Sequence, residues 1–239
     1  MLRLLSRKKR PIEAPAEVAG VRVKASQRAS RMALRVDVKA GDIVLTWPRG
    51  ASENGALRFI EQNRDWIEQH RRKLPQPKVF AEGEVISVHG REYKIVRKDG
   101  RGVTSLVAGA AENWLIVHGR PEHMSRRIKD FLKEKAQEVL EEVAAEKLSD
   151  INKKPAGVRV IDPKTRWGSC SPDGRMMFSW RLILAPPHVL DYVVAHEVAH
   201  RVHMNHSRKF WALCASLTGD AGASRRWLRA HGGALMAYK

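Results

Sequence analysis

Residues 186–207 read Pro186-Pro187-His188-Val189-Leu190-Asp191-Tyr192-Val193-Val194-Ala195-His196-Glu197-Val198-Ala199-His200-Arg201-Val202-His203-Met204-Asn205-His206-Ser207. The proline pair opens a helix predicted over 188 to about 203. Leu190, Val194, Val198 and Val202 recur on one side and form its predicted core stripe. His196 and His200 are four apart, which puts them about 40° from each other around a helix. Both imidazoles can then reach one cation at about 2.0–2.1 Å. Glu197 points about a quarter turn away, beside the metal and not onto it, where it can take a proton from a metal-bound water. His206 comes just past the predicted helix end, where the chain can turn back toward the same cation. Three histidines and one water make an open tetrahedral site, the arrangement of catalytic and not structural zinc. The stretch is therefore read as HExxH-x5-H, with His196, His200 and His206 as metal ligands, Glu197 as catalytic base and Zn2+ as cofactor. His203 is a rival ligand on the same face, but a rigid helix places it about 5 Å further along the axis. Tyr192, one turn before His196, is either a packing residue or an oxyanion stabiliser.

Upstream, the elements alternate by period. Met32, Leu34, Val36 and Val38 alternate with polar or small residues as a half-buried strand does. Gly41-Asp42 makes a turn, and Ile43 to Trp47 is the hairpin partner. Ser52 is a helix N-cap for about 53–72, and Pro75 and Pro77 end that segment. Strand patterns return at 85–88, 93–96, 103–107 and 114–117, punctuated by Gly90, Gly100 and Gly119. Residues 123–149 carry the longest helical pattern. Val158 to Ile161 leads into a short hairpin, Arg166–Ser171 and Met176–Arg181, turned at Pro172-Asp173-Gly174. After the metal helix, Ser207 caps another helix that ends near Gly219. A last helix over about 221–230 stops at Gly232-Gly233. No internal repeat is visible. The expected class is α+β: a tail over 1–19, a β-rich region with one helix over 20–119, and a metal-binding catalytic region over 120–239.

The 239 residues include 44 Lys or Arg against 26 Asp or Glu, a formal charge of +18. Residues 1–80 carry a net +10, residues 81–150 a net −1 and residues 151–239 a net +9. Such charge steers a protein toward polyanions, nucleic acid foremost, or keeps it soluble; it does not bear on fold. No run approaches the roughly 18 apolar residues of a membrane-spanning helix. Two cysteines, Cys170 and Cys214, exclude a disulfide scaffold and fit a reducing compartment, so a cytoplasmic location is expected. Cys214 reads as core. Cys170, near the predicted site, has no dedicated base in the sequence.

The C-terminal part resembles the YgjP-like metallopeptidase-domain family, grouped with M48-type metallopeptidases. The resemblance rests on Arg166-Trp167-Gly168-Ser169-Cys170-Ser171, on Trp180 to Pro186, on Asp191 to Glu197, on Asn205-His206-Ser207 and on Phe210-Trp211. It implies a zincin-like fold with zinc on His196, His200 and His206 and Glu197 as base. The layout of SprT-like proteases is similar by analogy in the active-site plan alone. In a zincin-like architecture the hairpin before the metal helix can pair with an extended peptide. Arg166 and Trp167 either serve that hairpin or fill the gap beneath it.

The reading that follows is a zinc metallopeptidase acting on a protein or peptide, with nucleic acid or another polyanion as a further partner. One alternative keeps the site and changes the substrate, giving a metal-dependent nucleoside triphosphate pyrophosphohydrolase, although no glycine-rich phosphate loop is present. Another is a basic nucleic-acid-binding protein with a structural metal, against which the open three-ligand site argues.

Overall fold

The computed structural model describes residues 12–37, 41–74, 78–163 and 165–238. Among these the chain forms six α-helices and three small mixed sheets, an α+β arrangement with strands mostly in the first half. It divides into two compact units, Met1–Gln76 and Pro77–Lys239.

In the first unit, β1 (Glu17–Val18), β2 (Val21–Ala25), β3 (Ala33–Asp37) and β4 (Asp42–Trp47) form a sheet in the order β1-β2-β4-β3. The predicted hairpin is present: Leu34 pairs with Leu45 and Val36 with Ile43, antiparallel. Val36 is nevertheless exposed, because β3 is the sheet's edge while β4, at its centre, buries Ile43, Leu45 and Trp47. Val38 lies outside the described residues. Ser52 caps α1 (Glu53–Gln62), accepting a hydrogen bond from the Gly55 N–H. The predicted single helix is two: the chain breaks at Asn63, whose side-chain amide donates to the Phe59 carbonyl, and resumes as α2 (Arg64–Lys73). This competing side-chain bond is what asparagine offers near helix ends. Pro75 and Pro77 lie outside the described residues. Of the expected tail, residues 1–11 lie outside the described residues, whereas Val18 is buried and Ile12 and Ala14 pack on the same core.

The second unit opens with β5 (Val85–Val88), β6 (Arg91–Lys98), β7 (Ser105–Val107) and β8 (Trp114–His118), in the order β5-β6-β8-β7. Its apolar face shares a core with the helices that follow, so this sheet belongs with the second unit's helices and not with the first strands, with which the sequence reading grouped it. A third sheet, β9 (Val158–Ile161), β10 (Gly168–Cys170) and β11 (Met176–Ser179), runs in the order β10-β11-β9. The three sheets repeat one topology. In each, a strand pairs parallel with the strand two further along, β2 with β4, β6 with β8 and β9 with β11. The intervening strand always closes antiparallel on the outer edge. A helix then follows, behind Ser52, Pro121 or Pro187. The sequence conceals this repeat because the three copies share only an apolar pattern.

The longest helix, α3 (Pro121–Asp150), buries Met124, Ile128, Leu132, Ala136, Leu140, Ala144 and Leu148. This four-residue spacing drifts about 40° per step, so the stripe winds from the second sheet toward α4 (Pro187–Ala199). Between β11 and α4 the chain forms a 3-10 turn, Trp180–Leu184, where a strand was expected through Arg181. Arg181 is fully buried there: it donates to Asp162 at 2.6 Å and to the Tyr238 carbonyl, and its guanidinium lies 4.7 Å from the Trp180 ring centroid. A buried charge persists only when paired in this way.

Helix α4 is not half buried as its stripe suggested. Val189, Leu190, Tyr192 to Ala195 and Glu197 to Ala199 are all buried, the pattern of a central helix. It ends at Ala199 with His200 as cap, not at His203, since its last turn tightens, with the Val202 and His203 N–H groups both donating to the Ala199 carbonyl. Val202, predicted core, is 46% exposed as a result. Ser207 caps α5 (Arg208–Ser216) through the Phe210 N–H. The last helix, α6 (Ala221–Met236), runs through Gly232-Gly233, where a stop was expected. Gly232 is needed for close approach: a Cβ there would lie 3.1 Å from the Trp167 ring.

Candidate metal centre

His196 sits on α4 and His200 at its cap, one turn apart, with ring centroids 5.1 Å apart and planes nearly perpendicular. The early end of α4 frees the chain to return, which brings His206 within 5.0 Å of the first ring and 4.8 Å of the second. One nitrogen from each of the three lies within 4.8 Å of the other two. The Nε2 atoms of His196 and His206 are 3.1 Å apart. That is close to the edge of a tetrahedron with 2.0–2.1 Å bonds, about 3.3 Å.

His203 is not part of this group. Its contribution is a backbone carbonyl, 3.1 Å from His200 Nδ1. With Nδ1–H donating there, His200 presents its Nε2 lone pair to the cluster, the usual way a metal-binding histidine is oriented. Burial, then the charges of His200 and His206, holds His196 down at about 4. Burial also lowers His200. Imidazoles held neutral keep free the lone pairs a metal needs. Phe210, fully buried, packs its ring 4.6–4.9 Å from all three imidazoles. Trp211 stacks on His206 at 5.6 Å. The sequence quotes these two aromatics without revealing that they are the platform under the triad. Three converging imidazoles suit zinc or a neighbouring divalent ion, so the residues fit such a metal.

Glu197 is 6% exposed. Burial pushes its carboxyl up to about 7, against the opposing pull of Arg166. Its side chain lies on the backbone of β10. A Cβ on Gly168 would come within 2.7 Å of Oε1 and 2.8 Å of Cγ, so any other residue there would displace the Glu197 side chain. Arg166 is an electrostatic neighbour of Glu197, while Trp167 packs close to Gly232 of α6. β10 is the edge of its sheet and touches α4.

Cys170 is half-buried, and its thiol is pushed up by burial and then by the Glu197 charge, which disfavours a nucleophilic thiolate. Cys214 is core, pushed up to about 11 by burial. Tyr192 is buried, with its ring 6.2 Å from His196 and its hydroxyl raised by burial. Lys147 anchors the helix from behind, with Nζ 2.5 Å from both Asp191 Oδ1 and the Leu217 carbonyl.

A cleft of about 320 Å³ opens beside His196 and Glu197. Trp167, Val193 and Leu228 make its apolar wall, and Arg225 and Arg229 reach it from α6. Neither arginine stood out in the sequence, since their neighbourhood exists only once α6 packs on α4.

No curated protein and no solved structure matches the chain. The family description "YgjP-like, metallopeptidase domain" matches residues 32–231, which take in the whole histidine cluster, the buried glutamate and the cleft. On that match the chain belongs to the YgjP-like metallopeptidase-domain family.

Proposed function

We propose that the protein is a zinc-dependent peptidase whose metal is held by His196, His200 and His206 and whose catalytic base is Glu197. The observation that carries this reading is the convergence of three imidazoles beside one buried carboxyl at the mouth of a cleft. A divalent cation there would supply Lewis-acid polarisation of a carbonyl and acidify the attacking water. The chain's own residues do the rest. Glu197 accepts the water proton at a carboxylate oxygen and then, as a carboxylic acid, donates it to the amide nitrogen as the C–N bond breaks. Its burial favours the protonated form between those events. Phe210 and Trp211 hold the imidazoles in place, and Gly168 admits the carboxylate against the strand.

The two cysteines are unpaired, which supports a reducing, cytoplasmic setting. No helix of the described residues is long and apolar enough to cross a membrane. The positive ends of the chain support a polyanion as a further partner, whose binding would fall steeply with salt.

The test is Glu197→Gln. Metal content by mass spectrometry is expected to stay at one ion per chain while hydrolysis of an unfolded protein falls by about a factor of 10²–10⁴. Unchanged turnover would remove Glu197 as the base. Loss of nucleoside triphosphate hydrolysis without any peptide cleavage by the wild type would shift the reading to the phosphate substrate.

A further inference from the structure

The cleft beside the triad carries more positive charge than hydrolysis requires. Among the described residues Glu197 is the one carboxylate lining it, and the proposed mechanism uses that group. Arg225 and Arg229, four apart on α6, line the same cleft. Among the described residues neither guanidinium has a carboxylate within ion-pair distance, whereas Arg226 beside them reaches Asp220 at 3.9 Å. Arg225 is held at the centre: it lies 5.1 Å from the Trp211 ring centroid, and Trp211 stacks on His206. Leu228 stands on the same face of α6 and meets Trp167 and Val193 as the apolar part of the cleft. A divalent cation on the histidines would add to this charge.

Two unpaired guanidiniums next to an apolar wall suit a carboxylate on a short methylene stem. The planar fork of arginine matches a carboxylate through paired hydrogen bonds, and the wall takes the stem. A polyphosphate would need its many oxygens satisfied, and the apolar side offers them nothing. We propose that this cleft is a specificity pocket for an acidic peptide side chain, Asp or Glu, adjacent to the bond to be cleaved, with Arg225 and Arg229 binding its carboxylate. The place of the pocket beside a scissile bond rests on the peptidase reading, whereas carboxylate binding by the two arginines does not.

The experiment separates the two. Zinc-loaded, full-length Glu197→Gln protein is titrated with fluorescein-labelled unstructured peptides in which one Glu is moved through a neutral sequence, with a Gln series as comparison. At one position Glu is expected to bind about 10- to 100-fold tighter than Gln, the value of a charge-assisted pair. The double change Arg225→Gln, Arg229→Gln is expected to bring that ratio close to one, and Arg226→Gln to leave it intact. Both arginines of the double change are exposed, and an unchanged Tm confirms that the fold is retained. In parallel, wild-type cleavage sites in a denatured protein are mapped by mass spectrometry, and Asp or Glu is expected at a constant offset from the cut. A ratio that collapses with the arginines while the wild type cleaves nothing sinks the peptidase reading and supports the pocket. Equal binding of Glu and Gln at every position, a preference that survives the double change, or a nucleoside triphosphate that displaces the peptides and depends on the same arginines would each overturn the proposal.

Discussion

Glu197 illustrates what burying one carboxyl does to stability. Its ordinary pKa is 4.5, and burial lifts it to about 7 in the folded chain. The folded state therefore holds more protons than the unfolded state between these values. In metal-free protein, stability attributable to this group declines as pH rises from about 4.5 to 7 and is flat above. The total is at most about 3 kcal/mol. With a chelator present, Glu197→Gln is expected to match the wild type near pH 4 and to exceed it at pH 8, measured by denaturant unfolding at both values. Parallel pH profiles for the two proteins would show that the carboxyl is not destabilised. His196 and Glu197 were legible in the sequence because an HExxH places them by helix geometry alone. That His200 donates to the His203 carbonyl was not, because it depends on where α4 stops.

At the scale of elements, the site is a helix, a returning loop and an edge strand. Their joint is Gly168, whose missing side chain lets Glu197 lie on β10. Gly168→Ala is expected to push the carboxylate by about an ångström. Turnover should drop about a hundredfold, while metal content is unchanged and stability falls by no more than about 1–3 kcal/mol. Full activity in that variant would mean that the glycine is spared for another reason. Boundaries were the weaker part of the sequence reading. At the break, Asn63 binds a carbonyl of the preceding turn, and where α6 runs through Gly232-Gly233, a Cβ at 232 would lie 3.1 Å from the Trp167 ring. The recurring parallel-strand topology of the three sheets was hidden for a similar reason, since strand pairing is a property of the assembled sheet.

For the whole molecule, the two units each have a core of their own. One is built around Ile43, Leu45, Trp47 and Ile60, the other around α3, α4 and the second and third sheets. Every member of the triad, Glu197 and the cleft lies in the second. A fragment of residues 77–239 is therefore expected to fold and to bind one divalent ion, measured by calorimetric titration with zinc; a fragment that stays unfolded with metal present would show that the first unit is required. Within this unit Arg181 joins the 3-10 turn, Asp162 and the Tyr238 carbonyl, so it ties the C-terminus to the core. The local stretch 186–207 by itself determined that a helix would carry two histidines and a glutamate toward one side, because helical periodicity is a short-range property. The full sequence likewise determined the charge, the absence of a long apolar span and the family resemblance, which are read from residue identity. Only the tertiary structure decided that α4 is buried all round, that it stops at Ala199, and that two arginines from the last helix face the same cleft. Those outcomes turn on where helices end and what packs against them, and such contacts join residues far apart in the chain.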